Sequence, residues 1–411
     1  MTDGTVKPPP WRPFLLVLLA GAGIFALTME ARQSMGLFVG SLNRHTGLGL
    51  GSVSLAFAFG QLWWGLTQPL AGVVADRQGP GRVLVVGLVL VAVGTLLIPS
   101  MSSTAGLIFA IGVLAAGGAG MAGPAVLMAA TTRLVAPERR ALASGVVNAG
   151  GSFGQFIFAP LAQAVTTAAG WAAAVQTLGL ATLLALPLAW VLRAPPAVPA
   201  AANAAPRLGT RAAIRVALAD RSYRLLAAGF FVCGFHVAFL GTHLPGVVAA
   251  CGLPPAVGAW ALAMLGLFNI VGSIGIGLLM GWRHGRLPMK RLLSAIYLIR
   301  AVAVLAFVLA PSTTPVVLVF AAVMGLSVLS TVPPTAGLVA RFFGPSNMAT
   351  LFGLVMVTHQ VGGFLGAWLG GKAFEANGSY DWVWYADILL AVAAALIHLP
   401  IREQRALPAA A

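Results

Sequence analysis

About a dozen apolar stretches, each roughly 20 residues or longer, follow one another along this chain with only short polar breaks between them. As a helix, at about 1.5 Å per residue, each is long enough to cross the hydrocarbon of a bilayer. In hydrocarbon every backbone N–H and C=O must be satisfied within its own segment or a closed barrel, so a series of such runs dictates a helical bundle. A hydrophobic content of 59% with 8% charged residues excludes a soluble domain with a solvated surface. The expected fold is therefore an all-α polytopic membrane protein. Spans are predicted near 13–41, 50–75, 82–100, 104–130, 141–168 and 171–193, then near 222–250, 256–281, 289–310, 315–340, 348–373 and 382–400. The one long polar interruption, 194–220, separates twelve predicted transmembrane helices into two six-helix bundles, 13–193 and 221–401. Residues 1–12, with Pro8, Pro9 and Pro10, and residues 402–411 read as cytoplasmic tails, and 194–220 as a cytoplasmic linker.

A net charge of +15 in a soluble chain would suggest a nucleic-acid partner. Here topology accounts for it. Assigning the loops alternately to the two sides puts the Lys and Arg on one side, except Arg44 and Lys372 on the other and Arg32 and Arg300 inside spans. Short cytoplasmic loops carry such an excess, so both termini are predicted to be cytoplasmic and nucleic acid is not an expected partner. Arg207, Arg211 and Arg215, at four-residue spacing, predict a short helix on the membrane surface within the linker. Lys7 and Arg12 followed by a short apolar run and Ala20-Gly21-Ala22 imitate a signal peptide, but the run is read as a retained first span. Cys233 and Cys251 fall on one predicted helix about 27 Å apart, too far for a disulfide.

The second span ends in a small cluster of opposite charges, Gly72-x-x-x-Asp76-Arg77-x-Gly79, with Pro80, Gly81 and Arg82 following. Gly72 is expected to admit a second helix at close range, and Asp76, Arg77 and Arg82 to pair across the ends of adjoining helices as a conformational lock. This cluster resembles the loop between helices 2 and 3 of the major facilitator superfamily, with a thinner basic tail. The resemblance implies twelve helices in two pseudo-symmetric six-helix bundles. An internal echo agrees with it. Ser144-Gly145-Val146-Val147 and Gly154 in span 5 match Phe352-Gly353-Leu354-Val355 and Gly362 in span 11, with Gly145 to Gly353 and Gly154 to Gly362 both offset by 208. Arg283-His284-Gly285-Arg286 after span 8 is a worn copy of the Asp76 loop, with Trp282 in place of the acid, so the lock is expected mainly in the first half.

Ionisable groups inside a membrane are costly and default to functional candidates. They are Glu30 and Arg32 in span 1, His236 and His243 in span 7, Arg300 in span 9, and His359 with Gln360 in span 11. Arg300 lies about 16 Å into its helix, near mid-membrane. Arg32 is read either as facing a cavity or as snorkelling to the outer interface. Aligning Gly47-Leu48 with Gly252-Leu253 sets His236 opposite Ala31, so pseudo-symmetry would bring Arg32 and His236 to matching walls of one cavity. Arg32, Arg300, His236, His359 and Gln360 are therefore the substrate-binding candidates, and Glu30, His236 and His359 the proton-coupling candidates. Asp387 and His398 lie toward the two ends of the last span, where contact with headgroups or water is the plainer expectation. Gly362, Gly366 and Gly370, and likewise Ser273, Gly277 and Gly281, predict close helix–helix seams.

Arg32-Gln33-Ser34-Met35-Gly36, Ser54-Leu55-Ala56-Phe57-Ala58-Phe59, His359-Gln360-Val361-Gly362-Gly363 and Gly378-Ser379-Tyr380-Asp381 resemble bacterial members grouped near the monocarboxylate transporters and oxalate:formate antiporters. The resemblance implies a secondary active transporter that moves a small organic anion by alternating access, with protons as a candidate coupling ion. The chain departs from that branch in lacking an Arg-Asp pair in span 8 and in having His359 where the oxalate antiporter would have Lys. Efflux of drugs or other amphipathic compounds is the alternative, although neither the drug-antiporter G-P-x-x-G-G nor the sugar-porter P-E-S-P-R is present. A non-transporting receptor or scaffold is the third reading. An enzyme is not expected, since neither H-E-x-x-H nor paired acids nor a Cys/His cluster occurs. No cofactor or metal is expected. Gly47 to Gly51 follows no strand and is not read as a phosphate loop. The expected partners are a small, anionic substrate and the lipid of a bacterial inner membrane, and a monomer is expected.

Overall fold

In the computed structural model, residues 14–136, 139–193, 210–281, 287–344 and 348–403 are described. The predicted first tail, the linker through 209 with Arg207, the segment from Trp282 to Arg286 and the end of the chain from 404 lie outside them. The chain divides into two compact units, 1–198 and 199–411. Among the described residues each holds six long helices. The first has α1 (Phe14–Thr46), α2 (Leu50–Gln78), α3 (Pro80–Ser100), α4 (Thr104–Arg133), α5 (Arg140–Ala169) and α6 (Trp171–Val191). The second has α7 (Arg221–Ala250), α8 (Pro255–Gly281), α9 (Met289–Leu309), α10 (Thr314–Phe343), α11 (Met348–Asn377) and α12 (Asp381–His398).

Ten of these are long and apolar enough to cross a membrane. The others, α2 and α5, have 29 and 30 residues but carry more polar side chains, among them Gln61, Thr67 and Gln68 on α2 and Asn148, Ser152 and Gln155 on α5. Leu184, Leu278, Leu309 and Leu389 stand exposed on the flanks, an arrangement favourable in lipid and costly in water. A short helix, Thr210–Ala219, precedes α7, with Ala213 and Ala217 buried and Arg211 and Arg215 exposed. Asp220 then caps α7, its Oδ1 accepting the Tyr223 N–H at 2.8 Å.

The long helices are not uniform. Helix α1 changes to a tighter 3₁₀ turn over Ser34–Phe38 and resumes to Thr46, further than its apolar run predicts. Helix α4 passes through a π-helical stretch, Ile108–Ala115, stops after Met121 and restarts at Pro124, where Gly123 and the missing proline N–H favour a break.

The echo between the halves reappears as packing inside each unit. On α5, a methyl group at Gly154 would run into the carbonyl of Ala26 on α1; on α11, one at Gly362 would run into the carbonyl of Phe231 on α7. Ala26 to Phe231 is the 205-residue offset of the Gly47 to Gly252 alignment, and Gly154 to Gly362 is the offset of 208. One turn earlier Gly150 abuts the Ala22 carbonyl, while its counterpart Thr358 donates its hydroxyl to the Ala227 carbonyl at 2.8 Å. Gly366 meets the Phe235 carbonyl and Gly370 the ring of His243, so the predicted α11 seam is present. On α8, Gly277 of the predicted seam has nothing within 4 Å, and a close approach is at Gly272, against the Leu326 carbonyl of α10. The helix turns by about 100° per residue, so a neighbouring register selects a different face.

Candidate functional site

In the charged loop the acid has a partner outside the motif. Asp76, in the last turn of α2, pairs with Arg133, in the last turn of α4. Arg77 and Arg82 are exposed. Gly79 ends α2 and begins the approach to α3 at φ 87°, a conformation that side chains resist, and Pro80 then opens α3. Among the described residues, nothing outside its own stretch of helix lies within 4 Å of where a Cβ on Gly72 would be. Arg341, at the matching 208-residue offset from Arg133, pairs with Glu403 at 2.7 Å. Glu403 also accepts the backbone N–H of Lys290 in the first turn of α9, which gives the second unit its own acid in place of the missing one.

Deeper in the first unit, Glu30 is fully buried, and neither of its carboxyl oxygens has a hydrogen-bond partner. Arg32 points elsewhere, as the two-residue spacing requires. Its Nη2 donates to Gln61 Oε1 on α2, and its guanidinium lies over the Trp64 ring, 4.4 Å from the centroid. The side chain is thus turned onto α2 rather than stretched along α1 as a snorkel would be. Its Nε and the Trp64 Nε1 are buried without partners.

In the second unit the site begins with two consecutive prolines. Pro333 and Pro334 have no N–H to continue the ladder of α10, and the chain tightens into a 3₁₀ turn over Leu329–Thr331. The Val332 N–H is drawn to Leu329 O, leaving Val328 O without its usual helical donor. Arg300, fully buried on α9, supplies the replacement: Nη2 donates to Ser327 O at 2.5 Å and Val328 O at 2.9 Å, and Nε to Ser327 Oγ at 3.2 Å. On the other side of the break the Leu329 N–H donates to Asn269 Oδ1 of α8 at 3.0 Å. Cys233 on α7 shares a hydrogen bond with Thr331 Oγ1 at 3.2 Å. Arg300 Nη1 has no partner.

Beside this break lies a residue expected, from its place in the sequence, against headgroups or water. Asp387 on α12 is instead fully buried, with Oδ1 3.0 Å from Nε2 of the equally buried His236 on α7. The distance is that of an ion pair, but the groups are not aligned as a hydrogen bond, and both carboxyl oxygens and both ring nitrogens lack a hydrogen-bond partner. Arg300 is the cation whose field reaches both. Depth along α12 misled, because distance from a helix end does not reveal the face. Trp384, Asp387, Ala391, Ala394, Ala395 and His398 form one buried stripe at helical spacing, and that stripe was the available signal.

The other candidates separate by their partners. His359 packs its ring on Phe230 at 4.9 Å, interacts with Cys233 and leaves Nδ1 free; Gln360, beside it, is buried with an unpartnered Nε2. His243 donates Nε2–H to the Ala367 carbonyl at 2.6 Å, and His398 uses Nδ1 on Ala394 O while stacking on Tyr297. Both are held as packing groups. Gln61, Trp64, Cys233, Arg133 and Asp387 are the contacting residues that sequence reasoning did not select.

Comparison with known proteins supplies the remaining constraint. A family model described as Major Facilitator Superfamily matches residues 13–367 and 278–410. Monocarboxylate transporter 13 of Rattus norvegicus is 27% identical over 342 residues, covering 81% of this chain and 76% of its own length. The oxalate:formate antiporter of Oxalobacter formigenes is 30% identical over 185 residues, 45% of this chain and 43% of that one. Among solved structures, a mutant of the nucleoside transporter NupG superposes with a TM-score of 0.75 at 14% identity, covering 94% of this chain and 99% of the other.

Proposed function

This chain belongs to the Major Facilitator Superfamily, a family of membrane transporters and not of enzymes, and from that premise we propose that it moves a small organic anion by alternating access. The observation that carries the substrate class is the presence of two arginines in the spans, Arg32 and Arg300, each retaining an unpartnered N–H. A guanidinium keeps its charge at any ordinary pH and offers paired donors matched to a carboxylate. The names of the two relatives, a monocarboxylate transporter and an oxalate:formate antiporter, point to the same chemistry. In this reading Arg32 in the first unit and Arg300 in the second are each a candidate contact for the carboxylate, His236, His359 and Gln360 are candidates for further polar contacts, and protons are the coupling ion, with Glu30, His236 and His359 as groups able to carry them. The side bearing most of the Lys and Arg, with the Asp76–Arg133 pair and both termini, is the cytoplasmic face of the inner membrane.

The test is counterflow. Proteoliposomes holding the purified chain are loaded with one compound and offered a labelled carboxylate, sugar or drug. Exchange of a carboxylate, impaired in Arg300→Lys and more so in Arg300→Ala, is the expected result. Exchange of neutral or cationic compounds alone would overturn the anion reading and favour efflux of amphipathic compounds.

A further inference from the structure

Among the described residues, the second unit contains one acid–base pair that its packing leaves unsatisfied. Asp387 and His236 face one another and are fully hidden from solvent, 3.0 Å apart, with four polar atoms that make no aligned hydrogen bond. The titratable groups on the helices around α12 that lie nearest have assigned contacts. On α9, Tyr297 donates its hydroxyl to Gly229 O at 2.7 Å and Arg300 holds the α10 carbonyls. On α7, Cys233 is engaged with Thr331, and His243 with Ala367. On α11, His359 lies against Phe230 and Cys233, and on α12 itself His398 bonds Ala394.

Charge balance gives the pair a task. With Arg300 cationic, Asp387 anionic and His236 neutral, the cluster is neutral. Adding one proton to the pair makes it positive by one unit, and within a low-dielectric bundle that excess favours arrival of one anion. Proton and anion then stabilise each other's binding, as linkage requires.

We infer that Asp387, paired with His236, is the protonation site through which this transporter couples anion movement to protons. The carboxylate–imidazole pair accepts one proton from hydronium on one side of the membrane, releasing water, and returns it to water on the other; no electrons move. Arg300 is the sensor of that proton, since neutralising Asp387 removes the acid that shares its charge and leaves Nη1 to an incoming carboxylate. The assignment rests on the organic-anion reading for its substrate, but the protonation site itself can be tested without one.

Two measurements on the full chain keep the questions apart. Infrared difference spectra recorded across a pH titration should contain a protonated-carboxyl band that disappears in Asp387→Asn and returns, shifted, in Asp387→Glu. An unchanged band in Asp387→Asn overturns the inference whatever the substrate is. In proteoliposomes, a one-unit pH gradient should drive up to about tenfold accumulation of a transported carboxylate at one proton per anion. Asp387→Asn should abolish that accumulation while counterflow continues at a reduced rate, and Asp387→Glu should restore part of it. Full accumulation in Asp387→Asn would overturn the inference with the anion reading intact. Exchange of no carboxylate by the wild-type chain would sink the anion reading, and the infrared band would still decide the proton site.

Discussion

Replacing Arg300 with Met keeps much of the side-chain volume and removes the charge. Two carbonyls at the α10 break, Ser327 O and Val328 O, lose their guanidinium donor, as does Ser327 Oγ. Hydrogen bonds from a charged group contribute about 1.5–3 kcal/mol each, so the two carbonyl contacts alone amount to about 3–6 kcal/mol. That is a large share of a typical folding free energy of about 5–15 kcal/mol, and Asp387 is left without its compensating cation. Arg300→Lys retains charge but not the fork that spans two carbonyls, and should fall between. Denaturant titration in detergent reads the loss. The decisive comparison is the double variant Arg300→Met with Asp387→Leu, because removing both ions from a buried site is less harmful than removing one. The two changes should be non-additive by about 0.5–3 kcal/mol, the double variant recovering stability. Strict additivity, or a loss below about 1 kcal/mol in Arg300→Met, would refute the reasoning that this cluster is electrostatically coupled and that Arg300 holds the break.

Gly362→Ala drives a methyl group into the Phe231 carbonyl, which cannot rotate away, and should cost about 1–3 kcal/mol or more by the same titration, whereas Gly72→Ala, facing open space, should be neutral or slightly stabilising. Asp76→Asn and Arg133→Gln should each slow transport in counterflow with insertion and helix content intact; so exposed a pair adds only about 0–1 kcal/mol to stability, and wild-type rates in both variants would dismiss the conformational lock. A cysteine at Ala212, exposed on the Thr210–Ala219 helix, should react with an impermeant thiol reagent only from the cytoplasmic side, and labelling from outside would reverse the assigned topology.

The helical class and ten of the crossing segments were legible because a bilayer imposes one length scale and one hydrogen-bonding rule on every crossing segment. The α7–α11 seam was legible for a related reason, since small residues at four-residue spacing line a single helix face and let a second backbone approach it. Pairings were harder. Asp76 was recognisable as one half of an ion pair, but its partner Arg133 lies 57 positions on, and local spacing carries no information across that separation. Asp387 was judged by its depth when its rotational position decided the matter. Arg300 looked like a free cation in the sequence because the demand for it originates elsewhere, in the Ser327 and Val328 carbonyls where another helix tightens into a 3₁₀ turn.

The contact between α7 and α11 has a further consequence for how such a protein can change. At Gly362 and Gly366, and reciprocally at Gly234 against the His359 carbonyl, the surfaces that touch are main chain. A main-chain interface has no repertoire: substitution can only obstruct it, so it offers natural variation and laboratory selection nothing to optimise. Selectivity for a new cargo would therefore have to be acquired away from this seam. A mutational scan should read as rows of intolerance every fourth residue, alternating with positions free to diversify.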